Sequence, residues 1–298
     1  MPDFFLDRLK KECPETIEAE QILAGDYLQS RENLYNRKTV WRCLPVGAAS
    51  LEEVTEVVVL AGEIMLKNGA ETSRVEQTME HIALAIGAQS VETFVVPTGV
   101  FATVIDRSGR SLTIMRRVKS RTIDLDRISK VNELSRRLVD QRLHYEAAIA
   151  ILKRIDSERP RFAWRLSTLA AGALGSGFAL LQGGLVAEVV LAAVTAALVQ
   201  FIVDLVGRFH GVQFTCEFLG SMAGALAGVI ITALFPHLSR DIIIVGGILP
   251  LVPGVAVTNA ISDTMAGDLV SGISRGMEAA LTAVAMAMGV VIVLTMQV

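Results

Sequence analysis

No lysine follows Lys153 in this 298-residue chain, and charge of either sign is scarce after Arg161. From Phe162 to Val298 the basic residues are Arg165, Arg208, Arg240 and Arg275. The acidic ones there are Glu188, Asp204, Glu217, Asp241, Asp263, Asp268 and Glu278. The first 161 residues, by contrast, hold 24 Lys+Arg and 24 Asp+Glu. With a mean hydropathy of +0.49, the chain combines a stretch suited to water with one suited to hydrocarbon. A wholly soluble enzyme, a disordered tail and a nucleic-acid binder built on gross basicity are excluded, because the polar half is neutral overall. Cysteine is also sparse. Cys13, Cys43 and Cys216 are far apart and odd in number, giving neither a disulfide framework nor a zinc site. The opening residues carry charges throughout and have no apolar core, so no cleaved secretory signal is expected. P-loop, GxGxxG, HExxH and GxSxG patterns are missing. No cofactor, metal or catalytic centre is therefore expected, and a primary ATP-driven pump within the chain is excluded.

Long apolar windows are abundant. A spanning helix needs about 20 apolar residues, and five windows qualify: Leu166–Ala187, Leu185–Val206, Phe218–Ser239, Ile242–Ser262 and Ala279–Val298. The expected architecture is thus an α+β cytoplasmic domain followed by an all-α transmembrane bundle of about five helices. Residues 1–48 would be a partly flexible extension, 49–158 the α+β domain and 159–298 the membrane domain. Lys153, Arg154, Arg159, Arg161 and Arg165 precede the first window and place the N-terminal half in the cytoplasm of a multi-pass inner-membrane protein. Gly220, Gly224 and Gly228 form a double GxxxG, a helix-packing signal that leaves open whether the partner lies in the same chain or another. Gly172, Gly175 and Gly177 notch the first window, and Gly272 and Gly276 repeat the spacing near the last.

The fourth window is interrupted by Gly246, Gly247, Pro250, Pro253 and Gly254. Each proline removes an N–H and disturbs the carbonyl one turn earlier. Half-helix ends of this kind form binding sites in many transporters, and a helix restarting near Gly254 would favour a carboxylate. A kinked packing helix is the alternative. Pro250, Pro253, Gly254, Thr258, Asn259 and Asp263 are the candidate transport residues. Asn259 and Asp263 share a helix face; Arg275 and Glu278, three apart, could pair. Asp268 is assigned to a solvated loop, and Glu188, Asp204 and Glu217 to span ends, where interfacial exposure would accommodate them. Asp204, Glu217 and Glu278, with Asp263, are candidates for proton coupling.

In the polar half, Leu51–Lys67 has apolar residues at helical spacing (Val54, Val57, Val58, Ala61, Ile64, Met65) and ends at Asn68-Gly69. Ser73 and Glu76 read as a capping box opening a second helix, Arg74 to about Ile86. Val91–Val96, a Pro97-Thr98-Gly99 turn, Val100–Asp106 and Ser111–Arg116 read as three strands, the last two joined by a hairpin at Arg107–Arg110. Leu125–Lys153 reads as one long helix leading to the membrane, giving the order ααβββα. His81 and His144 are isolated. Glu71, Arg74 and Glu76 cluster at a helix start, where capping explains the carboxylates. Arg116, Arg117, Lys119 and Arg121 form a basic run.

Four motifs, Gly69-Ala-Glu71-Thr-Ser-Arg74-Val-Glu76, Val96-Pro97-Thr98-Gly99, Val131-Asn132-Glu-Leu-Ser135-Arg136 and Leu249-Pro250-Leu-Val-Pro253-Gly254 with Asn259, together resemble the threonine/serine exporter family over about Leu51 to the C-terminus. The resemblance implies a cytoplasmic domain joined to a helical membrane domain, and export of small amino acids driven by an ion gradient, in the first place protons. It carries over Glu71, Arg74, Glu76, Thr98 and Gly99 in the cytoplasmic domain, and Pro250, Pro253, Gly254 and Asn259 in the membrane. Fused members of the family carry a second membrane block. This chain has one block and so resembles the two-component type, in which a second small membrane subunit completes the transporter and one relative is thought to export succinate-like dicarboxylates. The expected partners are therefore the lipid bilayer, that subunit, an oligomer and a small-molecule substrate, with no nucleic acid. The competing reading is a membrane-anchored sensor or scaffold that transports nothing; a membrane-embedded hydrolase is discounted for want of a nucleophile–base pair.

Overall fold

A computed structural model describes residues 50–141, 143–158, 164–207 and 214–296. The expected extension over residues 1–48 lies outside them, as do Cys13, Cys43 and Arg208.

The polar half folds in the order ααβββαα. Helix α1 is Leu51–Lys67 and α2 is Thr72–Ile86. Strands β1 (Ser90–Val96), β2 (Gly99–Ile105) and β3 (Ser111–Arg117) follow, then α3 (Leu125–Gln141) and α4 (Tyr145–Ser157). The strands form an antiparallel meander with β2 central, pairing Val95 with Val100 and Ala102 with Ile114. Alternation along β2 turns Val100, Ala102 and Val104 inward, onto α1 residues Val57, Val58, Ala61, Ile64 and Met65, all at most 1% exposed. Helix α1 is buried on more than one side because α4 also packs on it through Ala148, Leu152 and Ile155. That placement explains why the expected helix Leu125–Lys153 is two helices. The chain breaks before an extended His144 (φ −67, ψ 147), and α4 folds back over α1 rather than continuing α3.

The capping box falls on a different helix from the one expected. A capping box forms at Ser50 and Glu53, at the start of α1. At the start of α2, Glu71 occupies the N-cap position without a side-chain cap, and Glu76 turns away to accept the Val95 N–H at 2.9 Å. Gly69 takes φ +89, the left-handed C′ conformation that ends α1.

The apolar half is helical: α5 (Trp164–Leu181), α6 (Val186–Gly207), α7 (Thr215–Leu234), α8 (Arg240–Ile248), a 3₁₀ turn (Leu249–Leu251), α9 (Gly254–Met265) and α10 (Leu269–Thr295). By length and composition α6, α7 and α10 can each cross a membrane, and α8 with α9 makes a fourth crossing if the bent pair is one span. Helix α5, opening on Trp164-Arg165 and rich in small residues, does not qualify among the described residues. The apolar window Leu166–Ala187 is not one helix; it runs through the end of α5 and a turn at Gln182–Gly184 with Gly183 at φ +71.

The α7 glycines meet neighbours in the same chain. A β-carbon at Gly224 would lie 2.8 Å from Ile248 Cγ2, one at Gly220 2.8 Å from Val203 Cγ2, and one at Gly228 would collide with Ile244. The double GxxxG of α7 thus receives α8 and α6. Gly246 and Gly247, read from sequence as breakers, lie within or at the end of regular α8 and admit α5 and α6. A β-carbon at Gly246 would meet Ala192 Cβ at 3.0 Å and Gly175 O at 3.2 Å. Glu188 is 4% exposed rather than interfacial. Its carboxylate accepts Leu185 N–H at 2.7 Å and the Ser239 N–H, joining the starts of α6 and α8.

Candidate functional site: a dock between the bent span and the N-terminal domain

The break falls at Leu249–Pro253. Pro250 sits in the 3₁₀ turn, Val252 is extended (φ −61, ψ 125), Pro253 is the N-cap and Gly254 opens α9. The two halves meet at a bend of 59°. Helix α9 then packs mainly on α10, turned back by Gly267 at φ +94. A β-carbon at Gly272 would lie 3.0 Å from Ala260 O. Further along, Val293 of α10 shares a cluster with Ala225 and Val229 of α7, while Met286 meets Val199 and Leu251. Helix α9 and the first half of α10 therefore form a hairpin standing off the α5–α8 bundle.

This hairpin grips the connector between α1 and α2. Asn259 Nδ2 donates to Gly69 O at 2.8 Å, and Arg275 donates through a terminal guanidinium nitrogen to Ala70 O at 2.7 Å. Asp263, fully buried, accepts the Thr72 backbone N–H at 2.9 Å and the Thr72 hydroxyl at 3.2 Å. The first N–H groups of a helix have no internal partner and carry partial positive charge. Asp263 thus caps α2 from the other half of the molecule. Arg275, 8% exposed, places Nε 3.1 Å from Asp263 Oδ2. That contact is ionic rather than an aligned hydrogen bond, since the Nε hydrogen has no acceptor within bonding geometry. Glu278 meets Arg121 at 2.9 Å, partly exposed, a second strap from α10 to the loop after β3. Burial raises the Asp268 carboxyl above its usual range, with the Asp263 charge adding to it.

Beside the dock lies a cavity of about 480 Å³, within the range of small-molecule sites. Gly69, Ala70, Glu71 and Arg74 line it from α2 and the connector, Ser129, Asn132 and Arg136 from α3, and Val255 and Asn259 from α9. Asn132 Oδ1 accepts from the Thr78 hydroxyl at 3.1 Å, and Glu133 is paired with Arg137.

Other sequence candidates sit apart. Thr258 is exposed and bonds back to Gly254 O and Val255 O. Asp204, half-buried on α6, accepts from Gln200 at 2.9 Å. Glu217 is half-buried in the first turn of α7. Thr98 is in the β1–β2 turn and its carbonyl accepts Val118 N–H at 2.9 Å; a β-carbon at Gly99 would approach Arg116 O at 3.2 Å. Among the described residues no cluster of His, Cys, Asp or Glu could hold a metal ion. Sequence reasoning missed Arg275 and Thr72 as dock residues. The available signal was a lone arginine in an apolar helix, which demands a partner.

Comparison with known proteins places residues 56–297 in a family described as "Putative threonine/serine exporter". A Mycobacterium tuberculosis protein named "Probable threonine/serine exporter" is 25% identical over 228 residues, covering 75% of this chain and 42% of that protein. The chain thus spans less than half of that relative. The Escherichia coli "Probable succinate transporter subunit YjjP" is 25% identical over 244 residues, 81% of this chain and 94% of the relative. Its Klebsiella aerogenes namesake is 25% identical over 245 residues, 82% and 93%. No solved structure matches the chain.

Proposed function

Since the chain belongs to the threonine/serine exporter family, we propose that it is one subunit of a secondary-active, inner-membrane exporter of small carboxylate-bearing solutes. Threonine and serine are the first expected cargo, and succinate-like dicarboxylates the second. The N-terminal domain lies in the cytoplasm, because Lys153, Arg154 and Arg165 flank the start of α5, and α5 supplies a fifth crossing. A second small membrane subunit completes the path. The relative matched over 94% of its own length is itself named a transporter subunit, and the exporter relative extends well beyond the matched region. Asp204, Glu217 and Glu278 are the proposed proton carriers, as carboxylates on or beside apolar helices.

The observation that carries this reading is the bent span, whose second half is bonded to the N-terminal domain beside a polar cavity. Broken helices give transporters bare peptide groups and a joint at which access can alternate. A plain anchor needs neither the break nor the dock. The test is to express the chain with and without a small four- or five-span membrane protein from the same genome as candidate partner and follow efflux of threonine, serine and succinate. Efflux of at least one solute that requires both proteins is expected. Unchanged efflux of all three with both present would end this reading.

A further inference from the structure

We infer that the cavity between α2, α3 and α9 is a binding site for a small zwitterion carrying one carboxylate and one ammonium group. Its role as the entry point for exported solute rests on the exporter reading; its ligand chemistry rests on the side chains alone.

Two guanidiniums, Arg74 and Arg136, line the cavity. Both are exposed, and neither carries an ion pair among the described residues. A guanidinium fork matches a carboxylate bidentately and is the usual means of holding one. Asn132, whose carbonyl oxygen shares the Thr78 hydroxyl with Arg74 O, adds an amide to the lining. Ser129 adds a hydroxyl.

The acceptor side is more selective. Of the two lining carboxylates, Glu133 is paired with Arg137. Glu71 holds the N-cap position of α2, but its side chain makes no capping bond; the neighbouring Thr72 N–H is held by Asp263. With no capping bond to make, the half-buried Glu71 carboxylate is left for a ligand. A ligand ammonium beside Glu71 and a ligand carboxylate between Arg74 and Arg136 satisfies all three charges. A dicarboxylate would place its second charge against Glu71, and like charges in close contact are repelled. The cavity also shares its wall with the dock. Gly69 and Ala70 line it, and their carbonyls are the groups that Asn259 and Arg275 hold. An occupant therefore touches the connector that joins the domain to the bent span.

Calorimetric titration of the purified full chain in detergent with L-threonine, L-serine and succinate tests the assignment. The two amino acids should bind saturably and succinate should not. Arg74→Gln and Arg136→Gln should each weaken amino-acid binding about 10- to 100-fold, the value of one charge-assisted hydrogen bond, with melting temperature unchanged because both side chains are exposed. Glu71→Gln should weaken amino-acid binding and admit succinate. Succinate binding the unaltered chain as well as the amino acids do, no saturable binding of any solute, or binding indifferent to both arginine changes would overturn the assignment. Efflux that persists while binding is absent would leave the exporter reading standing and remove this site. Binding that follows the expected pattern without efflux would keep the site and remove export.

Discussion

Replacing Asp263 by alanine removes the acceptor for the Thr72 N–H and hydroxyl and strands Arg275, which is 8% exposed. Breaking a buried ion pair from one side costs about 3–5 kcal/mol, because the remaining charge stays desolvated. Two hydrogen bonds to an ionised acceptor contribute about 1.5–3 kcal/mol each, so Asp263→Ala should fall at the upper end of the pair range. The damage should be confined to the dock, since neither residue belongs to the core around α1. Asp263→Ala with Arg275→Met separates the parts. Without a stranded guanidinium, the double variant should recover about 1–3 kcal/mol relative to Asp263→Ala. Hydrogen exchange reads this locally. The Thr72 amide should lose protection in both variants, whereas the amides of β2 should keep theirs. Thermal unfolding should rank wild type, double, then single variant. If Thr72 stays protected without Asp263, or the double variant is no more stable than the single one, Asp263 and Arg275 do not form the coupled dock described above.

Further outcomes are expected. Gly224→Val, whose first added carbon lies 2.8 Å from Ile248 Cγ2, should cost about 1–3 kcal/mol through overpacking; Gly177→Ala, with no neighbour within 4 Å, should gain up to about 1 kcal/mol of helix propensity in the same melting assay. Glu188→Ala should lower the melting temperature by leaving the Leu185 and Ser239 N–H groups without their acceptor, about 1–3 kcal/mol for each buried group. Burial raises the Glu76 carboxyl above its ordinary 4.5, with the Asp268 and Asp263 charges adding to it and the Val95 N–H opposing. Its contribution is therefore full below about pH 4.5 and lost as pH rises through the folded value; Glu76→Gln should flatten that part of a stability–pH curve while keeping the acceptor. Reversing the partly exposed Arg121–Glu278 pair as a double charge swap should change stability by less than about 1 kcal/mol, measured by denaturant unfolding.

Much of the fold was readable from short-range pattern. The α1 periodicity, the Asn68-Gly69 stop, the hairpin at Arg107–Arg110 and the break between Leu249 and Gly254 are all local consequences of side-chain spacing or backbone restriction. The capping of α2 was not readable. Ser73 and Glu76 have the right spacing, but the helix already begins at Thr72, Glu76 is turned to the Val95 N–H, and the Thr72 N–H is held by Asp263, 191 positions along the chain. The division of α3 from α4 carries no glycine or proline signal; burial of Ala148, Leu152 and Ile155 against α1 decides it. Gly246 and Gly247 looked like breakers because sequence does not separate a glycine needed for flexibility from one needed for clearance. Asn259 and Asp263 were correctly placed on one face, yet a face gives no hint of whether it meets solute or protein.

The Glu188 carboxylate ties the beginnings of α6 and α8, and the glycines of α5, α7 and α8 lock those helices flank to flank. One half of the bent span is thereby built into the bundle, while the other half is bonded to the N-terminal domain. The two prolines at Leu249–Pro253 are the seam where those two attachments meet.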